Sequence, residues 1–281
     1  MNILFATLVA ITNCCGSITV ETRGARMVSY VPAVGEEVLA RLSDGSGGIP
    51  LCWPWFANDG PTPDCRRHGC IRDREFAIVR RTTDELVLRL VSDGETRRHF
   101  PHDFELTLAF RLGAALEISL TGRNTGGTPF PVTEMFHPYF RVGDAARCTV
   151  RGVDGCRYRD NRHPELGEDR IWKGDYPIGD GSRVFEFRAD ASHVWELEDP
   201  ALGRRLVFTS AGDLKTVVWN PGPATLAAAN VTSKFKPGEW RTFVCVENGT
   251  AYRDRAYVLK PGESHVLRRT VRVVAASRRP R

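Results

Sequence analysis

Apolar and polar residues alternate along much of this chain in short runs. In 104–110 and 116–121 every second residue is apolar, and 86–90 repeats the pattern with Leu86, Leu88 and Leu90. A period of two puts successive side chains on opposite faces of an extended strand. These runs therefore predict β-strands with one face in a core and one face toward solvent.

The same pattern predicts strands through the rest of the chain. Residues 111–115 form a plausible hairpin connection, and clusters of Gly, Pro, Asn and Asp such as 124–127 and 220–223 separate the runs. No long segment shows the period of an amphipathic helix, so we expect helices only as one or two turns in loops. The further strands are predicted at 184–187, 194–197, 206–209, 216–219, 242–246, 257–259 and 266–274.

Together these elements predict an all-β fold, a large antiparallel β-sandwich. We expect one domain over residues 1–281, ending in a basic tail at about 275–281. A single domain of this length is common among all-β proteins. Sandwiches of this kind leave concave sheet faces on which strand ends and loops can build a ligand site.

Composition narrows the function classes. Apolar residues make up 42% and charged residues 26% of the 281 residues, which excludes a disordered or membrane-spanning chain. The formal net charge is +5 and the basic residues are dispersed, so nothing demands nucleic acid as a partner. We expect no membrane association, and a monomer is the default expectation.

The eight cysteines form no Cys-x-x-Cys pair, so the sequence indicates neither a zinc site nor a thioredoxin-like motif. We expect mostly reduced thiols and a cytoplasmic location. The apolar N-terminus, 1–12, resembles a signal peptide but has no Lys or Arg before Arg23, and it is too short to span a bilayer. We favour a first strand at 8–12 over a signal.

His137 is the first candidate for chemistry. It lies within 136–140 (FHPYF), between aromatic residues and before Pro138, which restricts the preceding backbone to extended conformations. An imidazole in such a place suits proton transfer near neutral pH. Taken alone, however, a packed and hydrogen-bonded histidine remains the simpler explanation.

Two other segments could supply partners. His68 lies between Arg67 and Arg72 after the aromatic run 47–56 (GGIPLCWPWF), where arginines could bind an anion and tryptophans a sugar face. A buried aromatic hairpin with surface arginines explains that segment equally well. Glu247 ends the apolar run 242–247, where it is either a partly desolvated general base or a solvated residue at the end of a strand.

Trp219, in a strand that runs into a turn, could line a site but is more often a core residue. The chain contains no P-loop, GxGxxG, GxSxG or HExxH motif, so nucleotide, serine hydrolase and zinc protease functions have no direct support.

Taken in order, these segments resemble the aldose 1-epimerase superfamily, and within it the glucose-6-phosphate 1-epimerase (hexose-6-phosphate mutarotase) branch. The resemblance runs from about residue 8 to about 274. It is carried by the glycine-glycine-isoleucine-proline segment at 47–50, the histidine-glycine-x-x-arginine motif at 68–72, and the segments 136–140, 199–205, 218–221 and 243–247. It implies the galactose mutarotase-like supersandwich fold.

The resemblance also implies site roles. Glu247 would be the general base and His137 the general acid for opening the pyranose ring, with neither metal nor other cofactor. His68 would hold or polarise a substrate oxygen, and Arg72 would face a phosphate.

Two positions depart from the family pattern. Ser46 stands where the phosphate-binding branch has an arginine, and Ser182 stands where the family often has a sugar-binding aspartate. Arg67 and Asp180 are therefore candidate replacements in substrate binding. Losing one charge-assisted arginine–phosphate contact, worth on the order of 1.5–3 kcal/mol, would weaken a preference for phosphate by roughly tenfold or more.

We therefore predict a mutarotase that interconverts the α and β anomers of an aldohexose, with a hexose 6-phosphate such as glucose 6-phosphate as the first candidate. Two alternatives remain open: a non-catalytic carbohydrate-binding protein on the same fold, and an epimerase of unphosphorylated sugars.

Overall fold

The computed structural model describes residues 7–63, 65–161, 163–167, 170–179, 181–186, 194–212, 215–223, 235–251 and 256–275. These residues form short antiparallel strands joined by turns, and the prediction of an all-β sandwich is confirmed. The strands of the first half are β1 Leu8–Asn13, β2 Gly16–Glu21, β3 Arg26–Pro32, β4 Leu51–Cys52, β5 Ala77–Arg81, β6 Glu85–Val91, β7 Phe104–Leu112, β8 Leu116–Asn124, β9 Phe130–Val132, β10 Met135–Phe136 and β11 Tyr139–Arg141. Those of the second half are β12 Thr149–Arg151, β13 Arg157–Asp160, β14 Arg170–Ile171, β15 Tyr176–Pro177, β16 Gly181–Glu186, β17 Val194–Asp199, β18 Arg204–Ala211, β19 Lys215–Asn220, β20 Phe243–Gly249, β21 Tyr257–Leu259 and β22 Ser264–Ala275.

Two large sheets dominate the fold. One has the strand order β15-β12-β17-β18-β22-β8-β7-β6-β5. The other runs β14-β13-β16-β19-β20-β10-β4, with β11 also pairing with β20. A three-stranded sheet, β1-β2-β3, and the pair β21-β9 complete the described strands.

The alternating runs form strands where the pattern predicts them. Along β7 every second residue, from Phe104 to Leu112, is buried, and β8 repeats this arrangement from Leu116. The two strands pair over their whole length around a turn at 113–115, so the predicted hairpin is present but its connection is shorter than the predicted 111–115. The helix α1, Gly94–His99, is a short piece in a loop and begins with a capping box formed by Asp93 and Thr96.

Arg269 ties the two large sheets together. It lies on β22 and is only 2% exposed, with its guanidinium carbon 4.2 Å from the ring centre of Phe208 and 5.2 Å from that of Phe140. Its Nη1 donates to the Val246 carbonyl at 2.6 Å and to Asn248 Oδ1 at 2.8 Å, both on β20 of the opposite sheet. Polar groups of β20 thus bind one end of a buried cation, which fixes that strand against the core.

Strand β20 lies in the interior of its sheet. All seven residues of Phe243–Gly249 are buried, and β19 pairs with one edge while β10 and β11 pair with the other. The sequence suggested that Glu247 ends its strand, whereas the strand continues to Gly249. Glu247 is therefore an interior residue that is 1% exposed, which rules out a solvated carboxylate at a strand end.

The N-terminal region of the described chain forms β1, so the prediction of a first strand at 8–12 is confirmed. All eight cysteines are free thiols, and Cys52, Cys70 and Cys245 are buried as small core residues. Within the described ranges, no helix has the length and apolar character needed to cross a membrane.

Candidate active site

The fold brings His137 and Glu247 together. His137 Nε2 lies 3.4 Å from Glu247 Oε1, and both side chains are buried, at 9% and 2% exposure. Two atoms, His137 Nδ1 and Glu247 Oε2, have no hydrogen-bond partner among the described residues. Buried polar atoms are seldom left unpaired, so these two atoms mark the pair as a candidate catalytic site.

Strand register explains why the two residues meet. Phe136 pairs with Asn248 and Tyr139 pairs with Cys245, so the two residues between β10 and β11 lie level with Glu247 and its neighbour on β20. The His137 amide donates to the Pro50 carbonyl at 3.0 Å, which holds the break between the two short strands in place. The proline that follows supplies no amide donor at this break.

Burial shifts the protonation of both groups in the same sense, toward the neutral form. Burial raises the pKa of the Glu247 carboxyl to about 8, and the positive charges of Arg72 and Arg67 only partly oppose it. Burial, and next to it the charge of Arg72, lowers the pKa of His137 well below the usual value of an imidazole. A carboxyl whose pKa lies near neutrality is suited to exchange protons with a substrate.

His68 is the third member of the cluster. Its ring centre lies 5.3 Å from that of His137, nearly at right angles, and burial keeps its pKa far below the ordinary range. The Ala57 amide donates to His68 Nδ1 at 3.1 Å. That hydrogen bond assigns the ring proton to Nε2, so His68 is a neutral hydrogen-bond donor.

An unusual backbone positions His68. Its φ is +68°, and Gly69 follows at +90°. A Cβ on Gly69 would lie 1.9 Å from the Trp53 carbonyl oxygen, so only glycine fits between the two segments. The histidine-glycine pair therefore holds the imidazole against the aromatic segment.

Arg72 lies beside the cluster and is partly buried. Its Nε donates to the Leu51 carbonyl at 2.7 Å, and its Nη2 donates to Cys52 Sγ at 3.1 Å. Cys52 Sγ in turn lies 3.4 Å from His68 Nδ1. Arg67 is exposed, but it is near enough for its charge to lower the pKa values of His137 and His68.

Aromatic residues line the approach. Tyr139 stacks on His137 with ring centres 5.1 Å apart, and Trp219 lies edge-on to both. Sequence reasoning gave Tyr139 no role and weighed Trp219 chiefly as a core residue; Trp219 is half-buried at the site. Of the predicted binding residues, Asp180 lies outside the described residues.

A metal ion was not expected here. His137, Cys245 and Glu247 nevertheless place one ligand atom each within 4.8 Å of one another. Burial raises the pKa values of both the thiol and the carboxyl, so binding a cation would require deprotonation of groups that the site keeps neutral. The spacing of these three ligand atoms does not by itself identify a metal site.

A cavity of about 310 Å³ adjoins the cluster. Arg72, Tyr139, Pro50 and Ser46 are among the residues that line it. Ser46 is committed to its own loop, since its amide and hydroxyl both donate to Asp44 Oδ1. The cavity therefore lies at the position where the resemblance predicts an arginine and this chain has Ser46.

The chain is similar to known proteins. The family model described as Aldose 1-epimerase matches residues 7–271. A protein of Escherichia coli K12 named "Putative glucose-6-phosphate 1-epimerase" is 32% identical over 268 residues, which cover 89% of this chain and 85% of that one.

Solved structures share the fold. A Salmonella typhimurium structure described as a "putative mutarotase" superposes with a TM-score of 0.81 at 27% identity, over 95% of this chain and 90% of that one. A galactose mutarotase-like protein of Lactobacillus casei superposes with a TM-score of 0.78 over 95% of this chain and 100% of that one, and at 16% identity it supports the fold alone. The resemblance drawn from the motifs is confirmed. The chain belongs to the aldose 1-epimerase family and is an isomerase of the epimerase type.

Proposed function

We propose that this chain is a mutarotase of aldohexoses, with Glu247 as general base and His137 as general acid. The observation that carries the proposal is the buried contact of 3.4 Å between His137 Nε2 and Glu247 Oε1. Acid–base catalysis needs a proton acceptor and a proton donor that reach the same substrate. These two groups meet that need, and each retains a polar atom without a partner in the described chain.

The chemistry follows from the two roles. Burial leaves a proton on Glu247 and a neutral His137, and passing that proton to His137 across the 3.4 Å contact gives the carboxylate and imidazolium that the reaction uses. The Glu247 carboxylate then removes the proton from the C1 hydroxyl, His137 delivers its proton to the ring oxygen, and the bond between C1 and the ring oxygen breaks. The open-chain aldehyde rotates about C1–C2, and the ring closes with the roles reversed. His68, whose Nε2 carries a proton, donates a hydrogen bond to a substrate oxygen.

A phosphorylated hexose is the proposed substrate. Arg72 and Arg67 place positive charge beside the site, and both influence the pKa of Glu247. The Escherichia coli relative carries a name that specifies glucose 6-phosphate. A sugar with a negatively charged group at one end suits this electrostatic environment.

The test is exchange between the α and β anomers of glucose 6-phosphate and of glucose, followed by NMR magnetisation transfer. The wild type should accelerate exchange, and Glu247→Gln should return it to the uncatalysed rate. Saturable sugar binding without acceleration would instead identify a carbohydrate-binding protein, and equal rates with both sugars would remove the preference for phosphate.

A further inference from the structure

The cavity beside the catalytic pair is strongly cationic. Arg23, Arg26, Arg66 and Arg72 line it together with Glu21, which gives a formal charge of +4 − 1 = +3. By contrast, a more apolar cavity of about 200 Å³ near Trp55 has no arginine or lysine among its described lining residues. The cationic cavity is therefore the part of the site best suited to an anionic group.

The four arginines are not equally available. Arg26 is held in place, because it contacts both carboxylate oxygens of Glu21 at 2.9 and 3.1 Å and donates to the Gly45 carbonyl. Arg66 faces Asp73 at 3.5 Å. Glu21 thus neutralises Arg26, whereas Arg66 is exposed and shares Asp73 with Arg74, which lies closer at 3.0 Å.

Arg23 differs from them. Its side chain is exposed on the wall of the cavity, and within the described part of the chain its guanidinium has neither an ion pair nor a hydrogen bond. Its backbone forms a bridge with Glu75, yet the two side chains make no ion pair in the described structure. Arg23 and Arg72 are therefore the cavity arginines that no carboxylate engages.

The backbone fixes Arg23 next to Arg72. Arg23 lies in the turn between β2 and β3, where the Gly24 amide donates to the Arg74 carbonyl at 2.7 Å. Gly24 has a φ of +70°, and a Cβ there would lie 2.5 Å from the Arg72 carbonyl oxygen. This close approach holds the turn against the segment that carries Arg72.

We propose that Arg23, together with Arg72, binds the phosphate ester of the substrate and takes over the function of the arginine that is absent at position 46. This inference rests on the proposed function, because it assigns the substrate end that the catalytic pair does not contact. Two guanidinium groups on one cavity can donate several charge-assisted hydrogen bonds to phosphate oxygens. Ser46, bonded to Asp44, leaves the space that the phosphate occupies.

The experiment compares kcat/KM for glucose 6-phosphate and for glucose in Arg23→Ala. We expect a loss of roughly tenfold to hundredfold for the phosphorylated sugar and no change for the free sugar. Arg268→Ala, which removes an exposed arginine on β22, is the matched control and should change neither value. Ser46→Arg in the Arg23→Ala background should restore most of the lost preference, because it returns a guanidinium to the same cavity.

A second measurement separates this inference from the proposed function. Inorganic phosphate, titrated against the arginine side-chain NMR signals, should bind wild type at least tenfold more tightly than Arg23→Ala. If wild type accelerates exchange but Arg23→Ala affects both sugars alike or neither, the Arg23 assignment is wrong and the mutarotase proposal stands. If no sugar is turned over while phosphate binding still depends on Arg23, the mutarotase proposal fails and the anion site stands.

Discussion

Replacing Glu247 by Gln should abolish catalysis and at the same time stabilise the protein. The carboxyl is 1% exposed, and its pKa rises from 4.5 to about 8 on folding because burial disfavours the charged form. Between these two pH values the native protein holds a proton that the unfolded chain has released. The free energy of unfolding therefore falls as pH rises across this window.

The size of the effect follows from the pKa shift. Each pH unit in that window costs about 1.4 kcal/mol, so wild type should lose on the order of 3 kcal/mol between pH 4.5 and 7 and on the order of 4 kcal/mol by pH 8, where native Glu247 is itself half ionised. A glutamine does not titrate and resembles the protonated acid in shape. The free energy of unfolding of Glu247→Gln should therefore match that of wild type near pH 5 and exceed it by those amounts at higher pH.

Urea unfolding of both proteins at pH 5.5, 7 and 8.5 measures this difference directly. Glu117→Gln, at an exposed position on β8, is the control for removing a carboxylate. Its stability relative to wild type should not change comparably with pH. A difference between Glu247→Gln and wild type that stays constant with pH would refute the reasoning. It would mean that Arg72 keeps Glu247 ionised in the native protein despite its burial.

Four further outcomes are expected. The kcat/KM for anomer exchange should fall as pH rises through about 8, because the Glu247–His137 pair then loses the proton that His137 must deliver, and a rate that keeps rising above pH 8 would count against this pair. His137→Asn should lower the exchange rate by about 10²–10⁴-fold without changing the urea midpoint greatly, whereas near-normal turnover would exclude His137 as the acid. Arg269→Met should reduce the free energy of unfolding, measured by urea titration, by about 1–3 kcal/mol, because the Val246 carbonyl and the Asn248 side chain lose a buried donor. Gly69→Ala should lower both thermal stability and turnover, because its Cβ meets a carbonyl oxygen at 1.9 Å, and unchanged values would show that the loop adapts freely.

Much of the fold could be predicted from alternation alone. Strands such as β7 and β8 bury every second residue, and that periodicity is visible in the sequence. The two-residue strands β4 and β10 were missed because two residues cannot display a period. Their pairing with longer strands, rather than their own composition, makes them part of the sheet.

The candidate site was less accessible to sequence reasoning. His137 and Glu247 were identified, but that they meet depends on how β10 and β11 pair with β20. Arg23 carried no signal, since a lone arginine in a turn is ordinary. Only the close approach of Gly24 to the Arg72 carbonyl brings it to the cavity.

The burial of β20 has a consequence for how the protein loses activity on heating or in denaturant. Amide groups in central, fully buried strands exchange with solvent only through the largest openings of a protein, whereas edges and loop tips open by small local fluctuations. Because Glu247 lies in the middle of such a strand, the catalytic carboxylate should stay in place until the sheet itself opens. Loss of turnover and loss of the β-sheet signal should then follow the same curve.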